Sequence, residues 1–181
     1  RTVTVDSSGA SGWIAGDDVA VSASGLFSDK NKGTGKTVTL TSNYGGADKN
    51  NYTIIDQAST TADIAARPIT VSGITAGNKV YNRLTNVNVN VSGAVGWITG
   101  DDVTVATTGV FTDKNVGAGK TVNLSSSYSG TDLANYTITD QATTTAEITT
   151  KPITISGITA GEKVYNRLTD VNVNVSGAIG W

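Results

Sequence analysis

The sequence contains no cysteine, methionine or histidine, and only two prolines among 181 residues. Histidine is the usual general base of enzymes and cysteine a frequent nucleophile, so both common routes to catalysis are missing. We therefore predict that the protein is not an enzyme and has no catalytic or cofactor-binding residue. No apolar run approaches the about 20 residues that a membrane helix requires. Charged residues are scattered and give a formal charge of −2, so we expect neither membrane insertion nor a nucleic-acid partner.

Glycine, threonine, valine, asparagine and serine fill much of the chain. Threonine and valine favour the pleated, half-buried surface of a strand, while glycine and asparagine supply turns. Few stretches carry the leucine, glutamate, alanine and lysine mixture that builds surface helices. The composition predicts an all-β protein.

An internal repeat determines the predicted architecture. Trp13, Trp97 and Trp181 lie 84 residues apart. The segments 68–97 and 152–181 differ at only four positions. A unit of this length suits a small β-sandwich better than one coil of a solenoid. We predict tandem β-sandwich-like domains in an elongated repeat array.

Seven strands are predicted within one unit, by β-forming residues between turn signals. The Val-Asn-Val-Asn-Val segment at 87–91 alternates with period two, which places its valines toward a core and its asparagines toward solvent. The glycine-rich segment 115–120 is predicted to be a turn between strands. The large rings predicted in the core are Trp97, Phe111, Tyr128 and Tyr136. The predicted strands are 69–72, 79–81, 87–91, 103–106, 121–124, 136–139 and 145–148.

Two prolines mark the predicted domain joints, because proline cannot donate to a strand ladder and suits a strand start. With Pro68 and Pro152 as starts, 1–67 is a partial repeat lacking its first strands, 68–151 is a complete repeat, and 152–181 holds the opening strands of a further repeat. This division of the chain leaves two explanations open for the partial repeats. Either the chain is an excerpt of a longer array, or 152–181 of one chain completes the 1–67 sheet of an identical chain by strand complementation.

The unit resembles the YDG/MBG-type repeats of large bacterial adhesins similar to filamentous haemagglutinin. The resemblance is carried by Lys79-Val80-Tyr81 and by the Gly-Asp-Asp-Val, Phe-x-Asp-Lys-Asn, Gly-Lys-Thr-Val and Asn-Tyr-Thr motifs, and it covers essentially the whole chain. Asn82-Arg83 replaces the Asp-Gly of the family pattern, which puts a tight turn with positive φ in question. The resemblance implies a structural repeat on the bacterial cell surface, in the stalk or filament of an adhesin involved in biofilm formation. Its partners would be neighbouring repeats or identical chains.

A second hypothesis assigns the repeat a binding function. Trp97 could stack on a sugar ring, and Asn88 and Asn90 form a polar face suited to a surface polysaccharide. In this case each repeat would be a glycan-binding module.

Other candidate sites have structural explanations that we prefer. Calcium requires about six to eight oxygen ligands, and the weak candidate ligands are Asp101, Asp102, Asp132 and Asp140. Since the sequence has no Asp-x-Asp-x-Asp loop, these carboxylates are interpreted as turn and capping groups, and no cofactor is expected. Asn51 and Asn135 match the Asn-x-Thr glycosylation pattern, although asparagine in this motif is more consistent with the end of a turn.

Overall fold

The computed structural model describes residues 2–180, which leaves Arg1 and Trp181, at the outer ends of two predicted domains, outside the described residues. Between residues 2 and 180 the chain forms strands, turns and two single-turn 3-10 helices, Lys49–Asn51 and Leu133–Asn135, with no α-helix. The prediction of an all-β protein is confirmed.

The strands form several sheets. A four-stranded sheet has the order β1-β2-β3-β4 and a five-stranded sheet the order β7-β13-β11-β10-β8; the pairs β12-β5, β6-β9 and β14-β15 form small sheets. The strands are β1 (Thr2–Val3), β2 (Ala20–Phe27), β3 (Gly33–Gly45), β4 (Ser59–Ile64), β5 (Arg67–Thr70), β6 (Thr75–Ala76), β7 (Lys79–Val80), β8 (Asn86–Val87), β9 (Val89–Asn90), β10 (Thr104–Phe111), β11 (Gly117–Ser129), β12 (Tyr136–Thr139), β13 (Thr143–Thr149), β14 (Thr159–Ala160) and β15 (Val173–Asn174).

The chain divides into two compact units that do not coincide with the 84-residue repeats. The first comprises Arg1–Gly73, Gly93–Ala106 and Ser126–Gln141, and the second Ile74–Ser92, Thr107–Ser125 and Ala142–Trp181. The first unit therefore contains residues of both the first and the second sequence repeat.

In the first unit, β2 and β3 pair antiparallel from Ala20↔Gly45 to Phe27↔Val38. The strand β5 pairs in parallel with β12, although 65 residues separate their ends, and its register aligns Ile69 with Ile138. Ile69, Val103 and Tyr136 form a buried cluster beside this pair, with Trp97, Leu133 and Ile138 packed against it. Parallel strands need a long connection, and here two distant parts of the sequence close one apolar cluster.

In the second unit, a buried cluster contains Phe111, Val122, Ala146 and Ile148. Here too a parallel pair joins distant segments, because Ile148 of β13 aligns with Lys79 of β7. The backbone N–H of Tyr81 donates to the carbonyl of Thr149 at 2.9 Å and extends this pairing.

Strands are found at all seven predicted positions. The turn predicted at 115–120 is wrong in its second half, because β11 begins at Gly117. The pairing register of β11 with β13 shifts between Gly117 and Lys120, and Gly119 lies between them with a φ of 59°. A glycine with positive φ inside a ladder is typical of a β-bulge, which keeps the strand paired.

The predicted valine alternation is confirmed, since Val87, Val89 and Val91 are half-buried and Asn88 and Asn90 exposed. Of the four predicted core rings, Phe111 and Tyr136 are buried, whereas Trp97 and Tyr128 are half-buried. Trp97 packs at the side of the first-unit cluster, and the Tyr128 hydroxyl reaches out to the carboxylate of Asp140.

The turn questioned at Asn82-Arg83 does have positive φ without glycine. Arg83 has a φ of 70° and Arg167, its equivalent 84 residues on, a φ of 67°. The side chain of Asn82 stabilises this conformation, because its Oδ1 accepts the backbone N–H of Leu84 at 3.1 Å. A hydrogen bond from a backbone N–H to an asparagine side chain two residues earlier mimics the hydrogen bond of a backbone turn.

Gly109 in β10 provides a test of the second-unit packing. A Cβ there would lie 2.6 Å from Cγ2 of Val89 and 3.0 Å from Cγ1 of Val122. Because overpacking forces side chains off their rotamers, we expect Gly109→Ala to lower the free energy of unfolding by about 1–3 kcal/mol, measured by urea denaturation.

Gly77→Ala is the matched control, because a Cβ at Gly77 meets only the Asn88 carbonyl at 3.7 Å. It should change stability much less than Gly109→Ala. Equal effects of the two substitutions would show that glycine flexibility rather than close packing explains the loss.

Candidate functional site

An ion-pair cluster in the first unit is the most developed polar arrangement among the described residues. The ammonium of Lys30 lies 2.7 Å from Oδ1 of Asp132 and 3.3 Å from Oδ1 of Asp101. Lys30 is exposed, whereas both carboxylates are half-buried. Lys30 belongs to the first sequence repeat and the two aspartates to the second, so the cluster joins residues of consecutive repeats.

A buried tyrosine positions one of the carboxylates. The hydroxyl of Tyr136 donates to Oδ2 of Asp101 at 2.5 Å and accepts the backbone N–H of Ile98 at 3.1 Å. Tyr136 is the first residue of β12 and is fixed by its place in the apolar cluster. The turn before Asp101 is therefore tied to the core, with the other carboxylate oxygen directed toward Lys30.

The second carboxylate is held by reciprocal hydrogen bonds with Asp102. The backbone N–H of Asp102 donates to Oδ2 of Asp132 at 3.0 Å, and the N–H of Asp132 donates to the carbonyl of Asp102 at 3.2 Å. Oδ2 of Asp102 in turn accepts the backbone N–H of Thr131 at 2.9 Å. These bonds fix the loop ahead of the second 3-10 helix.

The charges shift the ionisation of the cluster. The hydrogen bond from Lys30, reinforced by that from the Asp102 backbone, lowers the pKa of Asp132. The carboxylates of Asp132 and Asp101 in turn raise the pKa of Lys30. Burial, followed by the hydrogen bond to Asp101, raises the pKa of Tyr136. The cluster is thus an ion pair at neutral pH.

The structure brings together three of the four calcium candidates, namely Asp101, Asp102 and Asp132. Asp140 instead accepts a hydrogen bond from the Tyr128 hydroxyl at 2.7 Å; burial and this carboxylate raise the pKa of Tyr128 to about 12. Among residues 2–180, no group of three or more histidine, cysteine, aspartate or glutamate side chains is arranged to hold a metal ion. The oxygens of Asp101 and Asp132 already accept hydrogen bonds from Lys30 and from residues of the second repeat.

The glycosylation candidates differ in their surroundings. Oδ1 of Asn135 accepts the backbone N–H of Lys32 at 2.9 Å, and its Nδ2 donates to Oδ1 of Asn31 at 3.2 Å. A glycan on Asn135 would break these contacts, which lie beside the Lys30 cluster. Asn51 is exposed.

The glycan-contact candidates belong to different units. Trp97 lies in the first unit, half-buried against the apolar cluster. Asn88 and Asn90 lie in the second, exposed on either side of Val89. Oδ1 of Asn90 accepts the backbone N–H of Ser92 at 2.9 Å and so shapes the turn that follows.

The first sequence repeat contains the same framework without the lysine. The Tyr52 hydroxyl donates to Oδ2 of Asp17 at 2.5 Å and accepts the N–H of Ile14. The N–H of Asp18 donates to Oδ2 of Asp48 at 2.9 Å. These residues lie 84 positions before Tyr136, Asp101 and their partners, which shows that the carboxylate pair is part of each repeat.

Sequence reasoning missed the role of Lys30, which lies in a turn formed by the Asp-Lys-Asn part of the Phe-x-Asp-Lys-Asn motif. The turn is present, since Oδ1 of Asp29 accepts the N–H of Asn31 at 2.8 Å. Asp101, the ion-pair partner of Lys30, lies 71 residues away in the sequence. No local sequence pattern indicates a contact between residues so far apart. The equal spacing of the repeats was the only available signal.

The comparisons with known proteins identify one domain family. The family model of the YDG domain matches residues 1–62 and 65–146, and the two matched segments together cover more than half of the chain. The chain belongs to the YDG-domain family. No curated protein and no solved structure matches the chain significantly. No helix between residues 2 and 180 is long and apolar enough to span a membrane.

The ion pair predicts a pH-dependent contribution to stability. The pKa of Asp132 is lower in the folded state than in the unfolded state. The ionised carboxylate therefore raises the free energy of unfolding at pH values above its unfolded pKa of about 3.9, and this contribution is lost as the pH falls through the lower folded pKa. We expect Lys30→Met to lower the melting temperature at pH 7, and the difference from the wild type to shrink below about pH 3.

Lys114→Met is the control for this experiment, because it removes the same charge from the equivalent turn 84 residues on. Lys114 is exposed and, unlike Lys30, forms no ion pair within residues 2–180, so its removal should have little effect on stability between pH 7 and the acid limit. A pH-independent deficit of Lys30→Met would mean that the lysine stem, rather than its charge, stabilises the protein.

Proposed function

We propose that the chain is a non-catalytic extracellular structural repeat, a segment of the stalk or filament of a bacterial surface adhesin similar to filamentous haemagglutinin. Its domains would be β-sandwich-like and arranged in tandem, with a joint at each repeat boundary. The observation that carries the proposal is the contact of residues 30–32 in one sequence repeat with Asp101, Asp132 and Asn135 in the next. A spacer made of repeats needs a defined joint of this kind.

Two further observations support a structural function. The YDG family model matches segments in both repeats, and the carboxylates and the tyrosine of the candidate site are engaged in contacts within the chain. Asp101 and Asp132 bind Lys30, Asp102 shapes a loop, and Tyr136 links the core to the turn. Each of these contacts has a mechanical role, because it fixes one segment of the chain to another. In this proposal the protein has no active site and needs no cofactor.

The proposed location can be tested with antibodies raised against the purified chain. If the repeat belongs to a surface stalk, intact cells of the source organism should be labelled as strongly as permeabilised cells. Mild protease treatment of intact cells should remove the labelling. An antibody against a cytosolic protein is the control for cell integrity. Labelling only after permeabilisation would contradict the proposed surface location.

The glycan-binding alternative remains a separate hypothesis, and the exposed Asn88 and Asn90 are its best-supported contacts. A pull-down with surface polysaccharides should give no saturable binding by the chain if its function is structural. If binding occurs, Asn88→Ala distinguishes the two hypotheses, because removal of this exposed side chain leaves the apolar clusters intact. Trp97→Ala is less informative, since Trp97 packs against the first-unit cluster.

A further inference from the structure

Two parallel strand pairs connect the start of the second sequence repeat with its end. In the first unit, β5 pairs with β12 in a register that aligns Ile69 with Ile138. In the second unit, β7 pairs with β13 in a register that aligns Lys79 with Ile148. The paired residues are 69 positions apart in both cases. By contrast, β2 pairs antiparallel with β3, and β11 pairs antiparallel with β13.

Hydrogen bonds continue both parallel pairings beyond the ends of the strands. The backbone N–H of Val71 donates to the carbonyl of Thr139 at 2.9 Å, and the N–H of Tyr81 donates to the carbonyl of Thr149 at 2.9 Å. The side chain of Asn78 adds a further contact in the second unit, because its Oδ1 accepts a backbone N–H of β13 at 2.8 Å. Each parallel pair is therefore longer in hydrogen bonds than its strand bounds indicate.

Both pairs lie against buried apolar clusters. Ile69 of β5 is 6% exposed and packs with Val103 and Tyr136 in the first unit. Ile148 of β13 is fully buried and packs with Phe111 in the second unit. Hydrogen bonds beside such clusters are electrostatically stronger than hydrogen bonds in water. Separation of either pair would also expose apolar side chains to water, which costs free energy.

The parallel direction of the two pairs determines how tension acts on them. In a parallel pair, the first residue of the earlier strand and the last residue of the later strand lie at opposite ends of the ladder. Tension along the chain then pulls the two strands past each other. Because the hydrogen bonds run across the strands, those of one pair are loaded together. A hairpin that is pulled at its two free ends instead opens one residue pair at a time.

The connections between the strands deliver tension to both pairs in this direction. The strand β5 leads to β7 through residues 71–78, and β12 leads to β13 through residues 140–142. A pull at the start and the end of the repeat therefore acts on the N-terminal ends of β5 and β7. It acts at the same time on the C-terminal ends of β12 and β13. Each pair is loaded along its strands within its own unit.

We propose that these two parallel pairs are the load-bearing contacts of the repeat and resist tension applied along the chain. The pair β5-β12 carries the load in the first unit, and the pair β7-β13 carries it in the second. The resistance is a property of the fold between residues 67 and 149, whereas its biological use rests on the proposed stalk function.

Single-molecule pulling of the full chain in two directions tests the proposal. The sequence contains no cysteine, so DNA handles can be attached to two introduced cysteines. Handles on the Ala65→Cys, Thr150→Cys variant load both pairs along their strands. Handles on the Ala65→Cys, Ala134→Cys variant flank one end of the β5-β12 ladder and peel its strands apart. All three positions are exposed, so the handles leave the apolar clusters intact.

We expect the unfolding force along the strands to be severalfold higher than the peeling force at the same pulling speed. The length released in each event, at about 3.3–3.6 Å per residue, identifies the segment that opens. Equal unfolding forces in the two directions would overturn the proposal.

Two substitutions in the Ala65→Cys, Thr150→Cys variant separate mechanical resistance from overall stability. Ile69→Ala removes a buried side chain from β5 and should lower the unfolding force. Gly109→Ala is the control, because it overpacks β10, which belongs to neither parallel pair. Since forced unfolding follows the unfolding rate rather than the equilibrium stability, Gly109→Ala should leave the force close to that of the parent variant.

Urea denaturation of both variants provides the equilibrium stability for this comparison. If the unfolding force falls in proportion to the loss of stability in both variants, the force reflects the whole fold and the assignment to the parallel pairs is wrong. Ile69→Val replaces Ile69→Ala if circular dichroism shows that the alanine variant does not fold.

The pulling experiment and the cell-labelling experiment can fail separately. Equal forces in the two directions would refute the load-bearing pairs and leave a surface location untouched. Labelling of permeabilised cells alone would refute the surface location, while a direction-dependent unfolding force would still support the load-bearing pairs.

Discussion

The parallel pairing of β5 with β12 is the interaction on which the first unit depends. Ile69 and Tyr136 come from opposite ends of one sequence repeat and meet in one buried cluster with Val103. Neither segment can bury its apolar side chains without the other. The pairing also fixes the start of β12, where Tyr136 holds Asp101 toward Lys30. Burial in the core and the polar contact between repeats are therefore parts of one arrangement.

The two sequence repeats show what this pairing contributes, because they are similar sequences in different surroundings. Residues 136–139 form a strand against β5, whereas the equivalent residues 52–55 do not. Tyr52 keeps its hydrogen bonds to Asp17 and Ile14 in the absence of such a strand. The local polar framework is thus encoded within each repeat, and strand formation requires a partner. This is the usual context dependence of β-structure.

Sequence reasoning could predict the all-β class, the strand positions and the alternation of Val87 to Val91, because all of them follow from local composition and period. It could not predict that Gly119 forms a bulge instead of ending the strand, since a positive φ suits both. Nor did it predict the positive φ of Arg83, which depends on the Asn82 side chain. The Lys30 cluster joins residues 71 and more positions apart, and contacts at that range follow only from the folded chain.

The Lys30 ion pair and the pairing of β5 with β12 differ in how much each stabilises the folded chain. Lys30 is exposed, and exposed ion pairs stabilise proteins by little because water and salt screen them. A paired strand whose isoleucines enter a cluster removes apolar area from water, which salt does not weaken. The pairing of β5 with β12 therefore stabilises the first unit more than the Lys30 ion pair does, while Lys30, Asn31 and Asn135 form the polar contacts between the two sequence repeats.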